Sequence, residues 1–308
     1  MLKINSINQV KMPKKKKIIV VTGGAGFIGS NLIARLVKSK NNKIISLDNY
    51  FSGSKKNHIP GVTYRRGHSK NIAKFIKEKP DIIYHLGEYS RVAASLDEAA
   101  LVWDLNMAGT FCVLEFWKKH KCKLVYAGSS TKFNGRDLAP YTWSKAVNTE
   151  LIKNYSKWYG LKYATVYFYN VYGPRERAGQ FDGAYGTIIE TLKQAHLKNK
   201  TAIIRKPGTQ TRAFTHVADT VDGIILAGQK GQGDDYGISA QETYSLLQVA
   251  KLFGCKIKMA AQTKTSRSAK AFNSNKIKKL GWKQKHTLKK YIADIKKLKT
   301  LSKVERNK

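Results

Sequence analysis

The stretch Thr22-Gly23-Gly24-Ala25-Gly26-Phe27-Ile28-Gly29 decides the fold. It follows an apolar run at residues 18–21 and precedes apolar residues with helical spacing at residues 27–37. In a strand–turn–helix unit, the first glycine allows a tight turn, the middle one admits a pyrophosphate, and the last permits close helix–strand packing. N–H groups at the start of the helix can bind the phosphates. A glycine-rich turn without a ligand is the alternative, which this context disfavours. The predicted dinucleotide-binding residues are Gly23, Gly26, Phe27, Ile28 and Gly29.

Asp48 ends the next predicted strand, nineteen residues after Gly29. A carboxylate at this position accepts hydrogen bonds from the adenosine ribose hydroxyls and repels a 2′-phosphate. The sequence therefore favours NAD over NADP, and it predicts cofactor contacts from Asp48 and the adjacent Asn49. Lys55 and Lys56 follow shortly afterwards and would attract a phosphate, which is the argument for NADP.

Strands and helices alternate through the first half of the chain. Strand-like apolar runs lie at residues 18–22, 43–48, 81–86, 123–127 and 163–169, and helical patterns lie at residues 27–37, 72–79, 102–119 and 139–159. Nearly continuous apolar strands are typical of parallel sheets that are covered on both faces. The sequence therefore predicts an α/β fold with a doubly wound, Rossmann-like parallel sheet.

The alternation becomes less regular beyond residue 173. Helical patterns recur at residues 186–197, 217–228 and 245–253, with short strands between them, and residues 283–308 form a basic helix and tail. The chain is therefore expected to divide into a basic N-terminal arm (1–17), an NAD-binding domain (18–175) and a smaller C-terminal α/β part (176–308). This last part is expected to be mainly substrate-binding and interleaved with the first.

Composition excludes several classes of protein. Hydrophobic residues make up 42% of the 308 residues, which excludes a wholly disordered chain. No apolar run approaches the length that crosses a bilayer, so no membrane association is expected. Cys112, Cys122 and Cys255 are scattered, with no CxxC pair. A disulfide scaffold and a cysteine zinc site are therefore not expected, no metal is predicted, and a reducing, cytoplasmic setting is the simplest.

The charge is strongly positive. Lys and Arg number 57 and Asp and Glu number 20, a net charge of +37. Such a surface attracts polyanions and anionic substrates. A compositional lysine bias explains it equally, since no aromatic–basic recognition motif accompanies the charge. A non-catalytic polyanion-binding protein on this fold is the alternative from another functional class, and beyond nonspecific attraction no nucleic-acid partner is expected.

Tyr141 and Lys145 lie four residues apart in the sequence Tyr141-Thr142-Trp143-Ser144-Lys145. On a helix this spacing puts both side chains on one face. A cationic lysine beside a phenol favours the phenolate, and the same lysine can bind the nicotinamide ribose. A tyrosine in this setting is a competent general base for a sugar hydroxyl. The pair is common on helix surfaces by itself, but together with the glycine turn it predicts a catalytic site.

Several motifs in order now indicate a family. The chain resembles the extended short-chain dehydrogenase/reductase family over residues 16–295, specifically its NAD-dependent nucleotide-sugar epimerase/dehydratase group. The resemblance rests on TGGAGFIGSN (22–31), SLDNYFSG (46–53), YHLGE (84–88), NMAGT (106–110), YAGSS (126–130), PYTWSK (140–145), YNVYGPR (169–175), TRAFTHVAD (211–219) and LGW (280–282).

The resemblance implies roles for further residues, besides Tyr141 as catalytic base with Lys145 as its partner. It implies that Ser130 shares a proton with the tyrosine and the sugar oxygen, although a serine that caps a strand-end turn is the alternative. Asn170, Arg212 and Arg267 match positions that hold the substrate diphosphate, for which the bidentate guanidinium is suited. For Arg267, an exposed loop arginine is an equally good interpretation.

The chain departs from the family pattern at several positions. His68 replaces the Asp that contacts adenine, and only ten residues separate Ser130 from Tyr141. Thr131 and Lys132 replace the Asp-Glu pair of the dehydratases, which disfavours 4,6-dehydration. The resemblance therefore implies NAD-dependent epimerisation, at C4 of a UDP-hexose through a transient 4-keto intermediate. A nucleotide-sugar reductase or another epimerase is the alternative within the family.

The resemblance also implies an oligomeric state. The long helices at residues 102–119 and 139–159 resemble those that pair into a four-helix homodimer interface in this family. Packing within one chain explains their amphipathic faces equally well.

Overall fold

A parallel sheet forms the centre of the fold. The computed structural model describes residues 15–132, 135–168, 170–177, 186–262 and 273–306, with side chains described as far as residue 301. The strands are β1 (Lys17–Thr22), β2 (Asn42–Asp48), β3 (Thr63–Arg66), β4 (Ile82–His85), β5 (Lys123–Gly128), β6 (Tyr163–Tyr167), β7 (Val171–Tyr172), β8 (Ala202–Arg205), β9 (Thr211–Ala213), β10 (Thr215–His216), β11 (Gly233–Gly237), β12 (Thr243–Ser245) and β13 (Ile257–Ala260). The helices are α1 (Phe27–Leu36), α2 (Ile72–Phe75), α3 (Ala99–Val102), α4 (Gly109–His120), α5 (Pro140–Tyr159), α6 (Ile188–Leu197), α7 (Val217–Lys230), α8 (Leu246–Phe253), α9 (Asn275–Lys279) and α10 (Leu288–Arg306).

The central sheet has seven strands in the order β11-β6-β5-β4-β1-β2-β3, and all of its neighbouring strands are parallel. The chain reverses its direction of travel across the sheet between β1 and β4. In open α/β sheets, ligands bind beyond the carboxyl ends of the strands at this reversal. The predicted doubly wound, Rossmann-like fold is therefore confirmed, and the topology fixes where a ligand site should lie.

Helices cover both faces of the sheet, which explains why its strands read as continuous apolar runs. On one face, α1 and α7 contribute Ile33 and Ile224 to a fully buried cluster. On the other, α4 and α5 contribute Leu114 and Ile152 to a second cluster. A π-helical segment, Trp103–Ala108, joins α3 to α4 without interrupting the helical path. These two layers hold the carboxyl ends of the strands rigidly at one edge of the sheet.

The chain beyond residue 175 contributes to both parts of the fold. A third buried cluster joins α6, α8 and α10, and β8 pairs with β13 in a small parallel sheet. In contrast, β11 extends the central sheet and α7 packs against α1. The division at residue 175 stays a prediction. Of the predicted N-terminal arm, only residues 15–17 lie within the described ranges.

Two local differences from the sequence expectations have physical causes. The apolar pattern does not predict β3, because its sequence Thr-Tyr-Arg-Arg lacks an apolar run. β3 lies at the edge of the sheet, where a strand does not need an apolar run. The helix predicted over residues 72–79 is wrong beyond Phe75. There the Arg65 guanidinium donates to the Phe75 carbonyl oxygen (2.6 Å) and to the Glu78 carboxylate (2.7 Å), so this segment turns away from the helix.

The continuous helical stretch Ala99–His120 corrects another expectation. By length and hydropathy alone it could cross a membrane, although the sequence was expected to hold no such run. However, 44% of its most apolar window is buried inside the fold. Its side chains Val113, Leu114 and Trp117 belong to the core cluster beneath the sheet. A core helix meets the same criterion, so the absence of a membrane association stays a prediction.

Candidate active site

A cavity of about 920 Å³ lies at the carboxyl edge of the central sheet, where β1, β4 and β5 end. It is as large as pockets that hold cofactors or small ligands. The predicted site residues on its wall are Gly23, Gly26, Phe27, Ile28, Gly29, Asp48, Asn49, Ser130, Tyr141, Lys145, Asn170 and Arg212. Arg267 lies outside the described residues. The structure thus brings twelve residues from distant parts of the sequence to one cavity, while their individual roles stay predictions.

The glycine turn has the shape that a bound phosphate requires. Gly23 has φ +71°, in the left-handed region that glycine adopts without strain. At Gly29, a Cβ atom would lie 2.1 Å from the Gly23 carbonyl oxygen, so no side chain fits there. The chain therefore folds back on itself at the start of α1, and the residues of that first turn, 26–29, line the cavity. These features fit the diphosphate of a dinucleotide.

Asp48 ties the end of β2 to the glycine turn. Its carboxylate accepts hydrogen bonds from the N–H groups of Ala25 (2.9 Å) and Tyr50 (2.7 Å). Burial raises the pKa of Asp48 and outweighs these hydrogen bonds, which act in the opposite direction. Asn49, the next predicted contact, accepts a hydrogen bond from the Phe51 N–H (3.0 Å). The carboxylate remains on the cavity wall, at the position that suits the adenosine ribose.

We expect NAD to bind at least about tenfold more tightly than NADP, a difference of about 1.4 kcal/mol. The reason is that a 2′-phosphate would place like charge beside the Asp48 carboxylate. Calorimetric titration of the ligand-free protein with both dinucleotides measures the ratio. Equal or tighter binding of NADP would show that Lys55 and Lys56, and not Asp48, decide the selectivity.

The start of α5 positions Tyr141. Pro140 occupies the first helical turn, which needs no N–H donor there, and the Ala139 N–H donates to the Thr142 hydroxyl (3.0 Å). The Tyr141 hydroxyl consequently lies 3.4 Å from the Ser129 Oγ. The family resemblance implies Ser130, the next residue, as this partner.

Ser129 and Ser130 both line the cavity. Ser129 directly follows β5, and the hydroxyl of Thr131 also donates to it (2.9 Å). Ser130 begins the short 3₁₀ turn Ser130–Lys132, one residue further from the strand. The contact seen in the structure therefore belongs to the neighbour of the predicted serine, and the role of Ser130 stays a prediction.

Lys145 follows Tyr141 by one helical turn and is almost fully buried. Its ammonium contacts the carboxylate of Glu88 and the carbonyl oxygen of Ala127, and it lies 4.3 Å from the centre of the Tyr126 ring. Sequence reasoning assigned no role to Glu88. A signal was available, because an acidic residue three positions after the end of β4 lies at the strand reversal, where polar residues meet ligands.

Four arginines, Arg91, Arg175, Arg177 and Arg212, line the same cavity. Only Arg212, on β9, was predicted. Asn170 has φ +50° and donates from its side chain to the Ala213 carbonyl oxygen (3.2 Å), which links it to β9. These guanidinium groups suit the diphosphate of a nucleotide-sugar.

His68, the residue at the usual adenine-contacting Asp position, lies 3.1 Å from the Asp104 carboxylate. Burial lowers the pKa of His68, against the opposing effect of that carboxylate. Within the described ranges, no three His, Cys, Asp or Glu side chains are grouped to hold a metal ion.

Comparisons with known proteins agree with this geometry. The NAD dependent epimerase/dehydratase family model matches residues 19–239. A provisionally named UDP-glucose 4-epimerase of Methanocaldococcus jannaschii is 32% identical over 227 residues, 68% of this chain and 73% of that protein. The UDP-N-acetyl-alpha-D-glucosaminuronate decarboxylase of Bacillus cytotoxicus is 28% identical over 77% of this chain and 79% of its own length.

Among solved structures, the UDP-glucose 4-epimerase of Thermotoga maritima with UDP-glucose superposes with a TM-score of 0.82. That pair is 24% identical and covers 89% of this chain and 96% of the other, so the likeness concerns the fold.

Proposed function

We propose a specific reaction for this chain, which belongs to the NAD-dependent epimerase/dehydratase family: it epimerises a nucleotide-sugar, most simply at C4 of a UDP-hexose. NAD is the cofactor of this family, and the glycine turn and Asp48 fit it. The observation that carries the proposal is the placement of Tyr141 and Lys145 on the wall of the cavity that also holds the glycine turn. The proposed base and the dinucleotide site thus share one cavity.

The chain's own residues supply proton transfer and orientation. Tyr141 takes the proton of the C4 hydroxyl as general base and returns it at the end of the cycle. A serine hydroxyl beside it, from Ser129 or Ser130, bridges the phenol and the sugar oxygen. NAD held by the glycine turn and Asp48 would supply reversible hydride exchange at C4, with no net oxidation of the sugar. Arg212 and Asn170 hold the diphosphate, so that the 4-keto sugar can turn without leaving.

The environment of Lys132 supports epimerisation over 4,6-dehydration. Lys132 stands where dehydratases of this family carry a carboxylic acid. Its ammonium contacts Asp234, and it lies 3.1 Å from the Tyr167 hydroxyl and 3.2 Å from Asp235. Tyr167 belongs to β6, and Asp234 and Asp235 belong to β11. A lysine held there does not deliver a proton as a carboxylic acid would.

A panel of nucleotide-sugars tests the proposal. The NAD-loaded protein is incubated separately with UDP-glucose, UDP-N-acetylglucosamine, dTDP-glucose and UDP-glucuronate, and products are identified by proton NMR. We expect conversion of a UDP-hexose to its C4 epimer, with Tyr141→Phe as the inactive control. Loss of water or loss of carbon dioxide would instead assign another reaction of the family.

We also propose that the protein is a homodimer through α4 and α5. Trp103 and Trp143, which are 58% and 39% exposed, stack on each other at 6.3 Å, and Phe111 is 50% exposed nearby in sequence. The opposite faces of both helices pack against the core of the same chain, so these exposed aromatic side chains are available to contact a second copy. Aromatic residues of this kind are enriched at protein interfaces.

We expect the parent protein to sediment at twice 34.6 kDa, and the double variant Trp103→Lys/Trp143→Lys to sediment as a monomer. Lysine in place of both aromatics removes apolar area and adds like charges across a symmetric interface. Leu298→Lys, at a position that is 66% exposed on α10, is the control and should remain dimeric. A parent that sediments as a monomer at micromolar concentration would contradict the proposal.

A further inference from the structure

The carboxylate of Glu88 is buried against the ammonium of Lys145. Its side chain is 3% exposed and that of Lys145 is 5% exposed, and the two are in direct contact. The other carboxylate oxygen accepts hydrogen bonds from the hydroxyl of Thr110 (2.6 Å), the side-chain amide of Asn148 (2.9 Å) and the hydroxyl of Tyr126 (3.2 Å). All of these groups are donors towards Glu88.

These donors keep Glu88 ionised. Burial raises the pKa of Glu88, but the Lys145 ammonium and the donated hydrogen bonds together hold that pKa below its ordinary value. With Lys145 on one oxygen and three donors on the other, the carboxylate has its acceptor sites filled. Glu88 and Lys145 therefore form a buried ion pair, which has little net charge to act on its surroundings.

A chain of hydrogen bonds connects this ion pair to the glycine turn. Thr110 lies 2.9 Å from Nε2 of His85, whose Nδ1 lies 2.7 Å from the hydroxyl of Thr22. Thr22 ends β1 and in turn accepts hydrogen bonds from the N–H groups of Leu86 (3.2 Å) and Gly87 (3.1 Å). Burial lowers the pKa of His85 to about 4, so this histidine is neutral at physiological pH and does not disturb the pair.

We propose that Glu88 is a positioning residue that fixes the ammonium of Lys145 and offsets its charge. A Tyr141–Lys145–Glu88 triad, and not the lysine alone, then sets the pH range in which Tyr141 acts as a base. The proposal rests on the proposed role of Tyr141. A lysine ammonium stabilises the phenolate of a neighbouring tyrosine, and this stabilisation is weaker when a carboxylate contacts the same ammonium. The site then works at a higher pH than a tyrosine–lysine pair without the carboxylate.

Other charged and titratable groups line the same cavity as the triad, among them Arg177 and Glu176, whose pKa is raised to about 7 by burial. Tyr126 on β5 contacts both Glu88 and Lys145, and His85 at the end of β4 is neutral. Arg91, in the loop after β4, lines the same cavity as Tyr141 and is close enough for the two to interact electrostatically. Lys132, which follows β5, contacts Asp234 and Asp235. Arg91 is therefore a further cationic group near Tyr141, and it stays constant in the test.

The test compares three variants in the NAD-loaded protein. Glu88→Gln keeps the shape and removes the charge, and it should move the acidic limb of the kcat/KM–pH profile down by about one pH unit. Glu88→Asp keeps the charge, so the acidic limb of its kcat/KM–pH profile should lie at the same pH as in the parent even though kcat falls. Thr110→Val removes one hydrogen bond to Glu88 without a charge change and should also leave the limb in place. An unmoved limb in Glu88→Gln would overturn the proposal.

A second measurement needs no turnover. The phenolate absorbance at ultraviolet wavelengths is recorded against pH, and the curve of the Tyr141→Phe protein is subtracted to isolate Tyr141. Glu88→Gln should shift this difference curve to lower pH by the same amount. A shifted curve in a protein that turns over no nucleotide-sugar would support Glu88 and refute the proposed function. Turnover with an unshifted curve would refute the role of Glu88 alone.

Discussion

Replacing Tyr141 by Phe should lower the turnover rate by about two to four orders of magnitude, which is the usual effect of removing a general base. The change keeps the ring and removes only the hydroxyl that lies 3.4 Å from Ser129. NAD affinity should stay close to that of the parent, because the glycine turn, Asp48 and Lys145 are untouched. The measurement is the epimerisation rate together with calorimetric NAD affinity.

Near-parent turnover in Tyr141→Phe would show that another group takes the proton. The two serines provide a matched comparison. If Ser129 is the partner, Ser129→Ala should lower the rate strongly and Ser130→Ala only slightly; the reverse result would support Ser130, the residue that the family resemblance implies. Both serines line the cavity, so each variant also controls for a general loss of packing at the other position.

Lys145→Met should be the most destabilising single change at the site. It removes one partner of a buried ion pair and leaves the Glu88 carboxylate, 3% exposed, without its cation. Breaking such a pair from one side costs about 3–5 kcal/mol, a large part of a domain's stability of about 5–15 kcal/mol. Urea unfolding, compared with the parent, measures the loss. Activity should be lost as well, because the charge beside Tyr141 disappears.

The double variant Lys145→Met/Glu88→Gln separates stability from catalysis. With the charge of Glu88 also removed, most of the lost stability should return, while activity should remain absent. If Lys145→Met alone unfolds at the same urea concentration as the parent, Glu88 is not an ionised partner of Lys145, and the ion pair has no energetic importance. If the double variant regains activity, Lys145 is not needed for the chemistry.

Local patterns predicted the parts of the site that depend on neighbouring residues. The glycine turn and the Tyr141–Lys145 spacing are read within one turn or one helix, and the order of apolar strands was enough to predict the sheet. The pairing of Glu88 with Lys145 joins residues 57 positions apart, so no local pattern shows it. The choice between Ser129 and Ser130 depends on how a short turn leaves β5. β3 escaped prediction because an edge strand needs no apolar run.

The central claim is that Tyr141 and NAD act together on one carbon atom of a nucleotide-sugar. The most direct measurement uses a UDP-hexose with deuterium at C4, incubated in ordinary water with the NAD-loaded protein, and follows the label in substrate and product by NMR and mass spectrometry. The account predicts conversion to the C4 epimer with the deuterium retained at C4, because the hydrogen leaves to the cofactor and returns to the same carbon. Replacement of the deuterium by solvent hydrogen, or no C4 epimer at all, would contradict it.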